Sequence, residues 1–229
     1  MPITEPIDRE RLQQITELLD AIYGHKALHP AGDALGELIG TILSQSTTDS
    51  NSGHAYRRLR ERFPTWQAAL EAPTAAIYEA IRPAGLGNIK APRIQRVLED
   101  VLRRHGELNL DFLRAMPLDD ARRWLLALDG VGPKTAACVL LFALGMPAMP
   151  VDTHVHRVTR RLGLLAPSVS AEKAHALLEA ATPPDDIYTL HINLIQHGKR
   201  VCHAQRPACG VCQLAPVCPS ASSAARSGV

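Results

Sequence analysis

A chain of 229 residues with 46% hydrophobic and 21% charged residues has material for one large or two modest packed cores, and those fractions are ordinary for a globular protein. Its longest apolar stretch, 136–144, is cut off at Gly145 and Pro147, too short to cross a bilayer, so a membrane role is not expected. A net charge of +2 neither demands nor excludes nucleic acid, because clustering of charge matters more than its sum.

The opening segment, Met1-Pro2-Ile3-Thr4-Glu5-Pro6, has no basic stretch followed by an apolar one, so a secretory leader is not expected. Farther on, Leu35, Leu38, Ile39, Ile42 and Leu43 recur at three- and four-residue spacing, which gathers them on one helical face. Val97, Val101 and Leu102 repeat the pattern, as do Ala174, Leu177 and Leu178. Phe63-Pro64, Ala72-Pro73 and Thr182-Pro183-Pro184 punctuate these segments at intervals suited to short helices in a bundle, and no segment sustains strand alternation. The expectation is an all-α fold. The stretch 220–229, rich in Ser and Ala, is expected to be a disordered tail.

Between two of the predicted helices lies Leu128-Asp129-Gly130-Val131-Gly132-Pro133-Lys134-Thr135-Ala136-Ala137. Asp119 or Asp120 is suited to cap the helix before it, whose apolar face carries Ala121, Trp124, Leu125 and Leu128. Pro133 suits a first helical position, where a missing N–H costs nothing, and an apolar helix follows to Gly145. Gly130 and Gly132 let the chain reverse within a few residues and let another backbone come close. A helix–hairpin–helix is predicted, with free amides at the start of its second helix that form a seat for a phosphate.

Toward the C-terminus, Cys202, Cys209, Cys212 and Cys218 form the pattern Cys-x6-Cys-x2-Cys-x5-Cys. Four sulfurs are the number that completes a tetrahedral zinc site or holds an iron–sulfur cluster. Two disulfides would need an oxidising compartment, so metal ligation is favoured. Spacing alone leaves the metal open, since only Cys209 and Cys212 form a short knuckle, and His203 is available to replace one sulfur.

The hairpin, then Val151-Asp152-Thr153-His154, then the four-cysteine loop, in that order from about Leu35 to Cys218, resembles the endonuclease III family of DNA glycosylases. The resemblance implies a base-excision-repair enzyme, a bifunctional glycosylase and abasic-site lyase that removes oxidised pyrimidines from duplex DNA. It implies two helical domains with DNA in the cleft between them: a barrel domain over 26–136 carrying the hairpin near its end, and a second domain from 1–25 plus 137–219. It also implies a [4Fe–4S] cluster on Cys202, Cys209, Cys212 and Cys218. Lys134 matches the catalytic lysine and Asp152 the catalytic aspartate. Such an enzyme is expected in the cytoplasm, nucleoid-associated in a bacterium, and as a monomer.

The chemistry explains both residue types. An amine that attacks the sugar C1′ displaces the base and forms a Schiff base, whose acidified C2′ proton permits β-elimination of the 3′ phosphate. Lysine supplies that amine once it is neutral, and an aspartate stabilises positive charge developing on the sugar and takes part in proton transfers. The nucleotide must first leave the stack. In the family a Gly-Leu-x-Asn loop supplies an apolar wedge; Gly85-Leu86-Gly87-Asn88 matches it, which makes Leu86 the wedge and Asn88 its companion. Gly130 and Gly132 are the phosphate-binding positions, His154 matches a family histidine near the lesion, and Lys199 is a further expected DNA contact.

Three positions depart from the family pattern. A glutamine follows the helix ending in Ile42-Leu43-Ser44 in the family, but here a gapless reading puts Ser46 there, with Gln45 one residue early. Pro133 stands where a basic residue is common, and the 203–208 stretch offers only His203 and Arg206 as cations, which implies fewer phosphate contacts and a flatter salt dependence. The departures leave two other readings: an adenine or other mismatch glycosylase, against which Lys134 argues, and a catalytically weak iron–sulfur DNA-binding protein.

Overall fold

The computed structural model describes residues 6–221. The N-terminal segment through Glu5, on which the expectation of no secretory leader falls, and the part of the expected disordered tail beyond residue 221 lie outside the described residues; Ser220 and Ala221 are helical. In chain order the helices are α1 (Arg9–Tyr23), α2 (Ala34–Ser44), α3 (Asp49–Arg62), α4 (Trp66–Glu71), α5 (Thr74–Ile81), α6 (Gly87–His105), α7 (Leu118–Leu126), α8 (Pro133–Cys138), α9 (Thr153–Arg161), α10 (Ala171–Ala181) and α11 (Ile187–Arg200). Short 3₁₀ turns join several of them, and there is no strand among the described residues. The fold is all-α. No helix of the described residues is long and apolar enough to cross a membrane.

The described residues divide into two compact units, one made by 6–28 with 147–221, the other by His29–Met146. The second unit is built around α2, which packs against α3, α6 and α8. Leu35, Leu38, Ile39, Ile42 and Leu43, the residues whose spacing predicted the helix, are all buried. Each such side chain contributes about 1.5–3 kcal/mol by leaving water. The helix starts where Asp33 accepts from the Gly36 amide at 2.7 Å, satisfying one of the otherwise unpaired first-turn donors. Nineteen residues long, α6 buries Ala91, Ile94, Val97, Leu98 and Val101 and stops at Gly106, whose left-handed φ of 86° closes the last turn on the Leu102 carbonyl.

Two local expectations are corrected here. Helix α7 is capped by Pro117 without a side-chain cap; Asp119 and Asp120 lie inside its first turn, next to Arg122 and Arg123. They complement the positive end of the helix there. The apolar helix after the hairpin is not α-helical to Gly145: α8 ends at Cys138, and Val139–Ala143 form a π-helical turn in which the Leu144 amide reaches back to Val139.

In the other unit α11 packs against α1 and α9. Polar side chains at the α1–α11 contact are paired: Asp20 accepts from Thr189 and from Asn193, and Lys26 Nζ donates to Asn193 Oδ1 at 2.7 Å. Pairing is required because Asn193 and Thr189 are fully buried. The expected iron–sulfur loop at the C-terminal end of this unit is corrected by the structure: among the described residues no group of three or more His, Cys, Asp or Glu side chains is placed to hold a metal ion.

Candidate active site

The predicted hairpin is present between α7 and α8. Gly130 has a left-handed φ of 73°, which an L side chain adopts at a cost, and the Arg93 side chain lies where its Cβ would be. Gly132 is the extended N-cap of α8 and faces open space, so nothing inside the protein requires a glycine there; what it leaves free is room for an outside group. Pro133 takes the first helical position and Lys134 the second, half-buried.

One side chain faces Lys134 electrostatically from α2, within the same unit. Glu37 is half-buried and accepts from the Thr41 hydroxyl at 3.2 Å. Burial pushes its carboxyl above the usual range, a rise that the Thr41 hydrogen bond and the Lys134 charge oppose.

Two loops accompany the hairpin in this unit. Leu86 is 49% exposed, with a left-handed φ of 52°, as the N-cap of α6, and Asn88 is exposed one residue inside the helix. An apolar side chain in water on a strained backbone is the arrangement a wedge requires. The other loop follows α2. Gln45 is half-buried and its Oε1 accepts from Arg93 at 3.1 Å, while Ser46 is exposed at φ 54°. The two candidates therefore differ in kind, one engaged by the protein and the other presented outward.

Sequence reasoning missed the residues that hold these loops. Lys90 is 1% exposed, and its Nζ donates to the carbonyls of Leu43 at 2.8 Å and Ala84 at 2.9 Å. Desolvation lowers the pKa of its amine. Arg93 reaches Gln45 and presses on Gly130, and Arg96 pairs with Asp129 at 2.8 Å. The readable signal was a lysine on the apolar face of a helix, beside Ala91 and Ile94, with arginines three and six residues on.

In the other unit Asp152 is the N-cap of α9, its Oδ1 accepting from the Val155 amide at 2.7 Å. His154 Nδ1 is 3.1 Å from an Arg157 guanidinium nitrogen. Lys199 is exposed near the end of α11. Two of the three arginines on α9 are taken up by the protein's own backbone: Arg157 donates to the Gly198 and Cys202 carbonyls, and Arg161 to those of His203 and Ala204.

The structure does not bear out the four-cysteine metal site. Cys202, Cys209, Cys212 and Cys218 line one small cavity of about 100 Å³ with His197 and form no disulfide, but among the described residues they make up no group placed to hold a metal ion. Three of the sulfurs have protein partners: Arg161 donates to Cys202 at 3.3 Å, Cys218 donates to the Arg161 carbonyl at 3.3 Å, and Cys212 lies 3.7 Å from His197 Nε2. Burial pushes the Cys212 thiol up, a rise that a backbone hydrogen bond at Leu214 opposes and the other three cysteines reinforce. These residues as arranged do not fit a [4Fe–4S] cluster, and none is assigned.

A hairpin between two helices, an outward glycine and a lysine in the next turn make up a helix–hairpin–helix. Residues 39–184 match the model of the HhH-GPD superfamily base excision DNA repair proteins. An Arabidopsis thaliana relative is 36% identical over 165 residues, 72% of this chain; the chain spans 56% of that relative's length. Endonuclease III of Sulfolobus acidocaldarius is 34% identical over 183 residues, 79% of each chain. The solved structure of a trapped covalent intermediate of endonuclease III with DNA, an estranged-adenine complex, superposes with a TM-score of 0.82 at 29% identity, covering 96% of this chain and 100% of that one. The chain belongs to the HhH-GPD superfamily and, within it, to the endonuclease III family of base-excision-repair glycosylase/lyases.

Proposed function

We propose that this protein binds duplex DNA carrying a damaged base or an abasic site, excises oxidised pyrimidines and nicks the strand by β-elimination. The observation that carries the reading is Lys134, a lysine in the first turn after an outward-facing hairpin glycine, in a chain of this family. The backbone around Gly130 and Gly132 takes a phosphate, Leu86 fills the gap left by the extruded nucleotide with Asn88 beside it, and Gln45 and Ser46 meet the strand opposite. Neutral Lys134 attacks C1′; the glycosidic bond breaks with its electron pair going to the base, which leaves with a proton from the amine, and the C1′–O4′ bond then opens, O4′ taking a proton from solvent to leave an iminium. Loss of the C2′ proton from the resulting iminium then expels the 3′ phosphate. Asp152 offers its carboxylate to the charge developing on the sugar, and His154 and Lys199 contact the strand. A protein with this task works where the genome is, in the cytoplasm, and on the nucleoid if the cell is bacterial.

A panel of duplexes, each with one damaged or mismatched base, tests the reading by scoring base release and strand scission separately. Release of oxidised pyrimidines with coupled scission supports it. Release of adenine from a mismatch without scission, or binding without either product, overturns it.

A further inference from the structure

Three basic residues of α6, spaced three apart, each engage a different part of the loop surface, and the mechanism above gives them no task. Lys90 ties the end of α2 to the segment before Leu86 through the Leu43 and Ala84 carbonyls. One turn on, Arg93 reaches from the loop after α2 to the hairpin: it donates to Gln45 Oε1 while its Nε and Cδ pack in the space beside Gly130. A further turn on, Arg96 holds the Asp129 carboxylate at the hairpin's edge. Residues three apart on a helix share a face, so a single rigid stripe touches all three loops.

We propose that Lys90, Arg93 and Arg96 are positioning residues, a brace that fixes the Gln45–Ser46 loop, the Leu86 loop and the Gly130–Gly132 hairpin relative to one another so that wedge, opposite-strand contact and phosphate seat engage the duplex together. The proposal rests on the function proposed above, since only that reading gives the three loops one ligand. Two features argue for a task beyond folding. A buried ammonium is costly where an apolar side chain would fill the same space, and the two carbonyls it serves lie in the last turn of α2 and at the end of the 3₁₀ turn before Leu86, just where the two loops begin. Leu86 and Ser46 are also held at positive φ, a strain that persists only when the surroundings impose it.

The test compares the full chain with Lys90→Met and Arg93→Met on two substrates, the damaged base paired in a duplex and the same base in a short unpaired bulge. A brace matters in proportion to the unstacking the wedge must drive. Single-turnover excision from the paired duplex is therefore expected to fall about tenfold or more, while excision from the bulge stays within about threefold of wild type, since each factor of ten reflects one more increment of barrier. A loss of equal size on both substrates, or none on either, overturns the brace. Should Lys90→Met fail to fold, the half-exposed Arg93 provides the same comparison. Hydrogen exchange is independent of activity: Arg93→Met is expected to speed exchange at both 45–47 and 129–132 with the α2 and α3 amides unchanged, and no change at either loop refutes the brace. If wild type acts on neither substrate while the exchange result holds, the proposed function fails and the brace stands.

Discussion

Gly130 and Gly132 stand two residues apart in one hairpin, yet their replacement by alanine should have opposite consequences. At Gly130 the left-handed φ of 73° costs an alanine about 1–2 kcal/mol. The new methyl would also lie 2.4 Å from Arg93 Nε and 2.6 Å from its Cδ, so Arg93 must move and give up its bond to Gln45, a further loss of about 0.5–1.5 kcal/mol. Together these give about 1.5–3.5 kcal/mol, which for a chain of this size lowers Tm by roughly 3–14 °C. At Gly132 the backbone is extended at φ −95° and the methyl meets nothing, so stability should change by less than about 0.5 kcal/mol. If a phosphate seats against that open face, Gly132→Ala should instead weaken DNA binding. Thermal unfolding of both variants, followed by titration with abasic duplex, separates the two effects. An unchanged Tm for Gly130→Ala, or full-strength DNA binding by a folded Gly132→Ala, would refute this reasoning.

Three other outcomes follow. Leu86→Ala removes an apolar side chain that is already 49% exposed, so Tm should barely move while excision falls more than non-specific binding; equal losses in gel shift and excision would count against a wedge. Asp152→Asn keeps a good N-cap and should fold like wild type while excising slowly, whereas Asp152→Ala should also lose about 1 kcal/mol of stability; an Asn variant with full activity would leave Asp152 as a cap alone. Glu37, its carboxyl raised by burial, contributes stability that is present at low pH and is lost as pH rises through its raised folded value. The Tm of Glu37→Gln minus that of wild type should therefore grow from about pH 4 to about pH 7, and a flat or falling difference would remove the burial argument.

The helices were legible because their cores obey a local rule. Leu35 through Leu43 mark α2 by spacing alone, and the hairpin is legible because Gly130 and Pro133 each have one backbone preference that fits it. What escaped depends on partners far along the chain. Lys90 reads as a misplaced charge on an apolar face until Leu43, 47 residues away, supplies an acceptor. Asp119 and Asp120 looked like caps because the pattern does not tell whether Pro117 already ends the preceding turn. The π-helical turn after Cys138 is invisible to periodicity because its residues are all apolar. The cysteine spacing counts sulfurs but not their partners: Arg161, 41 residues before Cys202, and buried His197 set the environment of those thiols.

Borohydride trapping on abasic duplex measures most directly whether a lysine amine of this fold bonds to the sugar. The expected result is a covalent protein–DNA complex whose cross-link maps to Lys134, absent in Lys134→Gln although that variant still shifts the duplex in a gel. A cross-link on another residue, an undiminished complex in Lys134→Gln, or no complex with wild type would contradict the account.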